Sequence, residues 1–536
     1  MKTFNMKALV ITGLLIVGLL MSMSAKASDI EEVIVIGANI SKGYSNPETD
    51  SSLIEALDPT RIYQPGGVGG FVGATTHGTD TKHTTVYRNG IPVNDPGSGW
   101  YDFGTETPTF QSFTTISGPN SALYGTSSMA GTIFIEDNFD GNNMFIKTGE
   151  DLYSIQGGTD WFHISSYKGS NGSVKTDNTE EDWFENVTLK TKTQYGQFNV
   201  ITVLQDYKYD YDSCWQGWNK SDDCVQEGVK TDVSIRGDWL TVGYSLNDMK
   251  HNTGFESKNE RYFLDANKEV IPGLILGAQN NQEKYNDKWD NRTAVYVNYN
   301  INDVGLGYRF EEDEHIYRLG YAIQGFNLSF ANSFRKPNLY ERYGDDWVAA
   351  NPNLKPEIGE GIEASYQGIT AWYYEFSESI DFDMSTYGYV NSGGYESKGI
   401  KYNKNIMLDE GNLNIFIRYT DSDRIRVPEY STRISWAGES QNGRFDYMIS
   451  YIGQYDKGLE FDGRPIDDVE TVSIYTGYDI TPRYRLGFQI SDIFDKEFEI
   501  LPDYSAGGRT FTLSIDLSLW YKYKKDFKRF TLGAWH

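Results

Sequence analysis

The sequence predicts an all-β chain that crosses a membrane as a closed antiparallel barrel. Composition is the first observation behind this. The 536 residues carry 48 Lys+Arg against 75 Asp+Glu, a formal net charge of −27, and only 39% are hydrophobic. Aromatics nevertheless reach 15%, with 39 Tyr, and there are 54 Gly. Helical membrane proteins need repeated apolar runs of ~20 residues, and this chain, at a mean hydropathy of −0.53, does not supply them. Disordered chains are poor in aromatics. Nonspecific nucleic-acid binding rests on Lys/Arg–phosphate contacts that a chain this acidic does not favour.

Alternation is the second observation. From about residue 139 to the end, short period-2 segments recur between Asn/Asp/Gly/Ser clusters. Examples are Asn199–Leu204, Trp239–Leu246, Arg292–Ile301, Ile316–Phe330, Asn412–Tyr419 and Phe511–Leu519. In the stretch from Val295 to Tyr299, Val295, Val297 and Tyr299 point one way, Tyr296 and Asn298 the other. Ten-residue alternating segments are the signature of transmembrane strands. A soluble sandwich or propeller would alternate too. The third observation decides between them: Tyr, Trp and Phe gather near segment ends, as in the girdles at bilayer interfaces.

The elements follow in order. Residues 1–27 read as a secretory signal, with Lys2 and Lys7, an apolar run Ala8–Leu20, and Ala25-Lys-Ala27 at the cleavage position. Its removal takes the net charge to −30. Residues 28–59 form a leader. Within it, Glu32, Val33, Ile34, Val35 and Ile36 make a lone β-prone run that either joins the edge of a partner's sheet or starts the next domain. Residues 60–138 are Gly-rich, and Thr84–Tyr87 before Asn89-Gly90 reads as a strand entering a hairpin. The glycines lack the Gly-Lys-Ser/Thr ending of a phosphate loop. Residues 139–520 are the barrel, and 521–536 a basic tail with Lys522, Lys524, Lys525, Lys528 and Arg529.

Chemistry is sparse. The six histidines form no His-Glu-x-x-His motif, and no Gly-x-Ser-x-Gly elbow occurs, so no catalysis is expected. Cys214 and Cys224 in one polar stretch of an exported chain read as a disulfide at a loop tip. Around them, Asp206, Asp210, Asp212, Asp222 and Asp223 either bind Ca²⁺, which takes oxygen ligands, or are a solvated acidic loop.

Four passages carry a family resemblance. Ser333-Phe-Arg-Lys-Pro-Asn-Leu-Tyr-Glu-Arg-Tyr-Gly344 with Asn351-Pro-Asn-Leu-Lys-Pro-Glu357 resembles a barrel signature of TonB-dependent outer-membrane receptors. Ile493-Phe-Asp-Lys-Glu-Phe-Glu499, Tyr504 and Gly508-Arg-Thr-Phe-Thr-Leu513 are similar to the family's C-terminal signature. His83–Ile135, with Tyr87-Arg-Asn-Gly90 and Gly118-Pro-Asn-Ser-Ala-Leu-Tyr-Gly125, is similar to the second half of its plug. Glu32–Ile36 falls where the family keeps its TonB box.

The resemblance implies a 22-stranded antiparallel barrel in the outer membrane of a Gram-negative bacterium, with an N-terminal α+β plug in the lumen. Residues 139–520 would then give about 17 residues to each strand with its connection, enough for lean loops. It also implies a monomer among outer-membrane lipid and lipopolysaccharide. TonB and the inner-membrane energising complex would couple to it and drive uptake of a scarce small-molecule nutrient. The expected ligand residues at the plug apices are Gly70, Phe71, Trp100, Tyr101, Asp102 and Phe103, although Trp100 and Tyr101 would also suit plain packing against the barrel wall. The spacing from Tyr451-Ile-Gly453 to Arg509 is most like cobalamin receptors, with ferric siderophores or haem the alternative cargo. A non-transporting adhesin and a passive porin are the readings from other classes.

Two departures stand out. Only about 28 residues separate the TonB-box position from Pro65, so the plug is expected to be trimmed. Thr76-His77-Gly78 replaces the family's Ile-Arg-Gly, which removes an arginine normally buried in the plug.

Overall fold

In a computed structural model, the residues described are 40–45, 61–63, 71–106, 111–139, 143–149, 152–172, 182–211, 214–216, 219–221, 224–409, 411–460 and 463–518. The signal 1–27, the box Glu32–Ile36, Gly70, Asp212, Asp222, Asp223 and the 521–536 tail lie outside them.

The barrel is as the alternation demands. Twenty-two strands close into one antiparallel ring, from Asn143–Gly149 to Thr510–Ser518, which pair with each other across Leu513↔Thr148 and Ser518↔Asn143. Side-chain character is inverted relative to a soluble sheet. Along Val304–Glu311, Leu306, Tyr308 and Phe310 face outward and exposed, while Gly307, Arg309 and Glu311 face inward and buried. Leu306, Leu319, Phe330 and Ile362 sit opposite one another on four adjacent strands and form part of an apolar outer band. This pattern suits lipid outside and a polar lumen within.

The segment Ile316–Phe330 is not one strand. Gln324 and Gly325 both take positive φ, 49° and 81°, and fold it into a hairpin between strands Glu314–Ile323 and Phe326–Arg335. Period-2 apolarity runs through both arms, but its phase shifts by one residue at the turn: Tyr317, Leu319, Tyr321 and Ile323 face outward before it, Phe326 and Phe330 after it.

The two rims differ. At one, connections run two to five residues; at the other they reach 12 residues at 212–223, 18 at 492–509 and 21 at 336–356. Short periplasmic turns and longer outer loops are the rule in such barrels, so the long-loop rim faces outward. Cys214 and Cys224 are disulfide-bonded on that rim, Cα–Cα 5.9 Å.

The lumen holds a second, five-stranded sheet. Its order is Ile40–Ser45, Gln111–Ser117, Gly131–Asp137, Thr84–Arg88, Ile91–Pro92, with one parallel pair, between Thr84–Arg88 and Gly131–Asp137. The expected hairpin is present: Asn89 (φ 48°) and Gly90 (φ 86°) supply the two positive-φ positions a tight turn requires. All five residues of Thr84–Arg88 are buried, because the strand lies inside the plug and the plug lies inside the barrel. Val86, Ile91, Phe113, Ile133 and Ile135 make the plug core, each stabilising by about 1.5–3 kcal/mol when fully buried. The plug sheet draws its edge strand, Ile40–Ser45, from the leader placed at 28–59, so it begins before residue 60.

Candidate functional site

On the outward side of the plug lies a cavity of about 280 Å³, floored by the plug and walled by the barrel. The plug supplies Phe71 and the loop Asp95–Asp102; the wall supplies Tyr207, Tyr209, Lys230, Asn247, Asn259 and Tyr285, with Tyr340 from the 336–356 loop and Tyr389.

The floor loop is built by Asp95. The string Asn94-Asp-Pro-Gly-Ser-Gly99 is turn-forming throughout. Asp95 Oδ1 accepts from the amides of Gly97 and Ser98, both at 2.9 Å, and the Asp95 amide donates to the Trp100 carbonyl at 2.8 Å. Oδ2 accepts from Asn247 Nδ2 at 3.2 Å and Asn259 Nδ2 at 2.7 Å, which docks the loop on two barrel strands. Gly97 has no room for a side chain: a Cβ there would lie 2.7 Å from the Tyr285 ring. The short helix Leu339–Tyr343 seals the far side. Its N-cap Asn338 closes a capping box with Glu341 and donates through Nδ2 to the Ser98 carbonyl at 2.9 Å.

The aromatic residues expected at the apex divide here. Phe71 and Trp100 both line the cavity, in edge contact at 5.5 Å. Tyr101 lines it with its ring, but its hydroxyl turns inward to Glu106. Burial and the Glu106 carboxylate push the Tyr101 phenol well above its ordinary range. Phe103, expected alongside them, does not line the cavity; it is buried in the plug core, edge-on to Tyr101 at 4.8 Å. The bend at Phe103, ahead of the turn Gly104-Thr105, carries it inward. Asp102 Oδ1 accepts from the amides of Val72 at 3.0 Å and Gly104 at 2.9 Å, and burial raises its pKa. The residues that the sequence reading missed are Asp95 and the wall tyrosines. The Asn-Asp-Pro-Gly-Ser-Gly string was a usable signal for the first. Nothing local marks which tyrosines face the lumen.

Of the acidic residues near the disulfide, Asp206 and Asp210 are described. Asp206 faces outward and exposed, and Asp210 Oδ1 accepts from the Cys224 amide at 3.1 Å. Among the described residues no cluster of three or more His, Cys, Asp or Glu could hold a metal ion.

Beneath the cavity the plug is bolted to the barrel in three places. On one wall, Asp137 gathers Arg88 (2.8 and 3.0 Å), Lys190 (2.6 Å), Asn89 (2.8 Å) and Gln111 (3.1 Å). Burial would raise the Asp137 carboxyl, but Arg88 and Lys190 hold it well below its usual range. On the opposite wall, His83 Nε2 lies 2.7 Å from Glu357 and Nδ1 2.8 Å from the Tyr395 hydroxyl. Arg335 bridges Glu357 to Glu341, which Lys82 also reaches at 2.9 Å.

The third bolt is His77, in the position of the absent arginine. It stacks on Trp372 at 4.2 Å and 10°, and Nδ1 lies 2.9 Å from the Tyr374 hydroxyl. That hydroxyl donates to Glu363 at 2.8 Å, so His77 Nδ1 carries the proton and donates to Tyr374. Burial, then Lys401 and Arg418, lower the His77 pKa well below 6.5, and it is neutral at pH 7.

Comparison with known proteins agrees with this architecture. Residues 49–132 match the family model for the TonB-dependent Receptor Plug Domain. A variant of the ferric enterobactin receptor from Pseudomonas aeruginosa, solved with enterobactin, superposes with a TM-score of 0.65 at 13% identity, over 91% of this chain and 100% of that one. The siderophore receptor PirA from Acinetobacter baumannii does so with 0.65 at 13%, over 90% and 98%. The copper transporter OprC gives 0.63 at 12%, over 92% and 99%. Residues 49–132 thus carry the match to a TonB-dependent receptor plug domain, and the 22-stranded barrel with its inner sheet has the fold of the siderophore receptors.

Proposed function

We propose that this protein imports a small-molecule nutrient across the outer membrane of a Gram-negative bacterium, powered through TonB. One observation carries the reading: a cavity open toward the long-loop rim sits directly on a plug that fills the lumen. A passive porin needs an open water-filled channel. Here, buried ion pairs and a stacked histidine fix the plug to opposite walls, so passage requires work on the plug. The leader, with Glu32–Ile36, is the handle on which TonB pairs by strand addition. Enzymatic activity forms no part of this reading. The protein works as a monomer among lipid and lipopolysaccharide.

Two cargo classes follow from different supports. The spacing of the C-terminal motifs favours cobalamin or a similar corrinoid. The fold neighbours, siderophore receptors by name, favour a ferric siderophore. The test of transport is a deletion of residues 31–37. Ligand binding is expected to stay at the wild-type level while accumulation inside the cell falls to background. Persistent uptake would sink TonB coupling and leave a passive route or a non-transporting receptor. Mass spectrometry of ligands retained by the purified protein separates a corrinoid from an iron chelate.

A further inference from the structure

The cargo's charge is legible in the cavity wall. This inference rests on the reading of that cavity as the ligand site. Three carboxylates, Asp95, Asp102 and Asp232, stand against one ammonium, Lys230, and among the described residues no arginine lines the space. The single cation is already spent. Lys230 Nζ donates down into the floor, to Thr105 Oγ1 and to the Asp102 carbonyl at 3.4 Å. It is also held 5.4 Å from the ring centroids of both Tyr101 and Tyr207. Its donors and its field are therefore turned toward the plug and two aromatic faces.

The negative groups are distributed differently. Asp95 uses both oxygens to build the floor loop, so it contributes charge without offering an acceptor. Both backbone bonds to Asp102 fall on Oδ1, and among the described residues no donor reaches Oδ2. Nine aromatic side chains complete the lining. An aromatic ring face carries a negative quadrupole, attractive to cations and indifferent or repulsive to anions; two of these rings, Tyr101 and Tyr207, already hold Lys230. Three of the four lining amides point away from the space as donors: Asn247 and Asn259 to Asp95, and Asn338 to the Ser98 carbonyl. What remains for a guest is aromatic surface, phenol and serine hydroxyls, the Gln226 amide and carboxylate oxygen, with no cationic group among the described residues besides Lys230.

We infer that this cavity selects a ligand of zero or positive net charge, with ring faces and N–H or O–H donors, and rejects multiply anionic metal chelates. An anion entering would meet like charge in a partly desolvated space with no free cation to receive it. A neutral, ring-bearing ligand meets no such repulsion on entry and gains stacking on Trp100 and Phe71. A cationic one gains the ring faces as well.

The test uses the full-length protein in detergent and three probes of different charge: uncharged cyanocobalamin, monocationic ferrioxamine B and trianionic ferric enterobactin, the last two close in size. Binding is followed by tryptophan fluorescence and by calorimetry. The better of the first two is expected to bind at least about 100-fold more tightly than the trianion. Gln226→Arg places a cation in the wall and should narrow that gap at least about tenfold. Trp100→Ala, in the same measurements, should weaken whichever probe binds. If the trianion binds as tightly as the others and Trp100→Ala weakens it, the charge inference falls and the cavity stands as the site. If binding of every probe ignores Trp100→Ala, or none binds, both fall together.

Discussion

At the scale of single residues, two plug side chains tie docking to pH. His77 is buried and neutral, so its folded pKa lies well below 6.5. An undocked plug would hold the imidazole in water and take up a proton that the docked form refuses. Docking stability from this group is therefore complete above about pH 6.5 and is lost as pH falls below it. Asp80 works in a lower window. Burial would raise its pKa, but Lys82, His83 and Arg424 outweigh burial and hold it at about 2, against 3.8 in water. Its contribution, about 2 kcal/mol, is present above pH 3.8 and disappears as pH falls toward 2. Hydrogen exchange of the peptide 76–84, corrected for intrinsic rate, checks the His77 window. Protection should drop between pH 7 and 5 in the wild type, and His77→Gln should flatten that step. The His77 substitution was visible in the sequence as a missing arginine. Its partners, Tyr374 and Glu363, lie some 290 residues away and were not.

At the scale of elements, the strand Gly131–Asp137 decides how the plug holds one wall. Its last residue places a fully buried carboxylate between Arg88 of the neighbouring plug strand and Lys190 of the barrel strand Asp182–Tyr195. Asp137→Asn would leave two buried cations short of their counter-charge. The expected cost is about 3–5 kcal/mol. Urea unfolding followed through the plug, with the barrel still closed, reads it, and cells carrying the variant should admit large antibiotics that the wild type excludes. Sequence reasoning placed the neighbouring strand at Thr84–Tyr87 and the Asn89-Gly90 turn after it, because local turn chemistry and apolar alternation are properties of neighbours along the chain. The same reasoning ran Ile316 to Phe330 together, because both arms alternate; it overlooked the shift of phase at the turn, where the outward series Tyr317, Leu319, Tyr321, Ile323 gives way to Phe326 and Phe330.

At the scale of the whole molecule, the outer band separates a membrane barrel from a soluble one. Leu319 lies in the row Leu306, Leu319, Phe330, Ile362 and is nearly half exposed, at 48%. In water such a row would be an aggregation surface; in lipid it is the solvent-matched face. Leu319→Arg is expected to destabilise the barrel by about 2–4 kcal/mol in a bilayer, measured by refolding into lipid vesicles.

The sequence by itself determined the class: polar composition, alternating strands, aromatic girdles, a Gly-rich plug and a disulfide at a loop tip. Each of these is a property of composition or of spacing within about fifteen residues, where backbone periodicity and turn chemistry act. It also singled out Phe71, Trp100, Tyr101 and Asp102, which share one cavity. Only the tertiary structure decided that Phe103 belongs to the plug core and that Asp95 builds the floor. It likewise decided that His77 and His83 meet barrel carboxylates and that Lys230 is turned away from the guest. Those outcomes depend on which of two alternating faces looks inward once the ring closes, and on which wall the plug meets. Both are fixed by pairings between residues hundreds of positions apart, where local pattern carries no information.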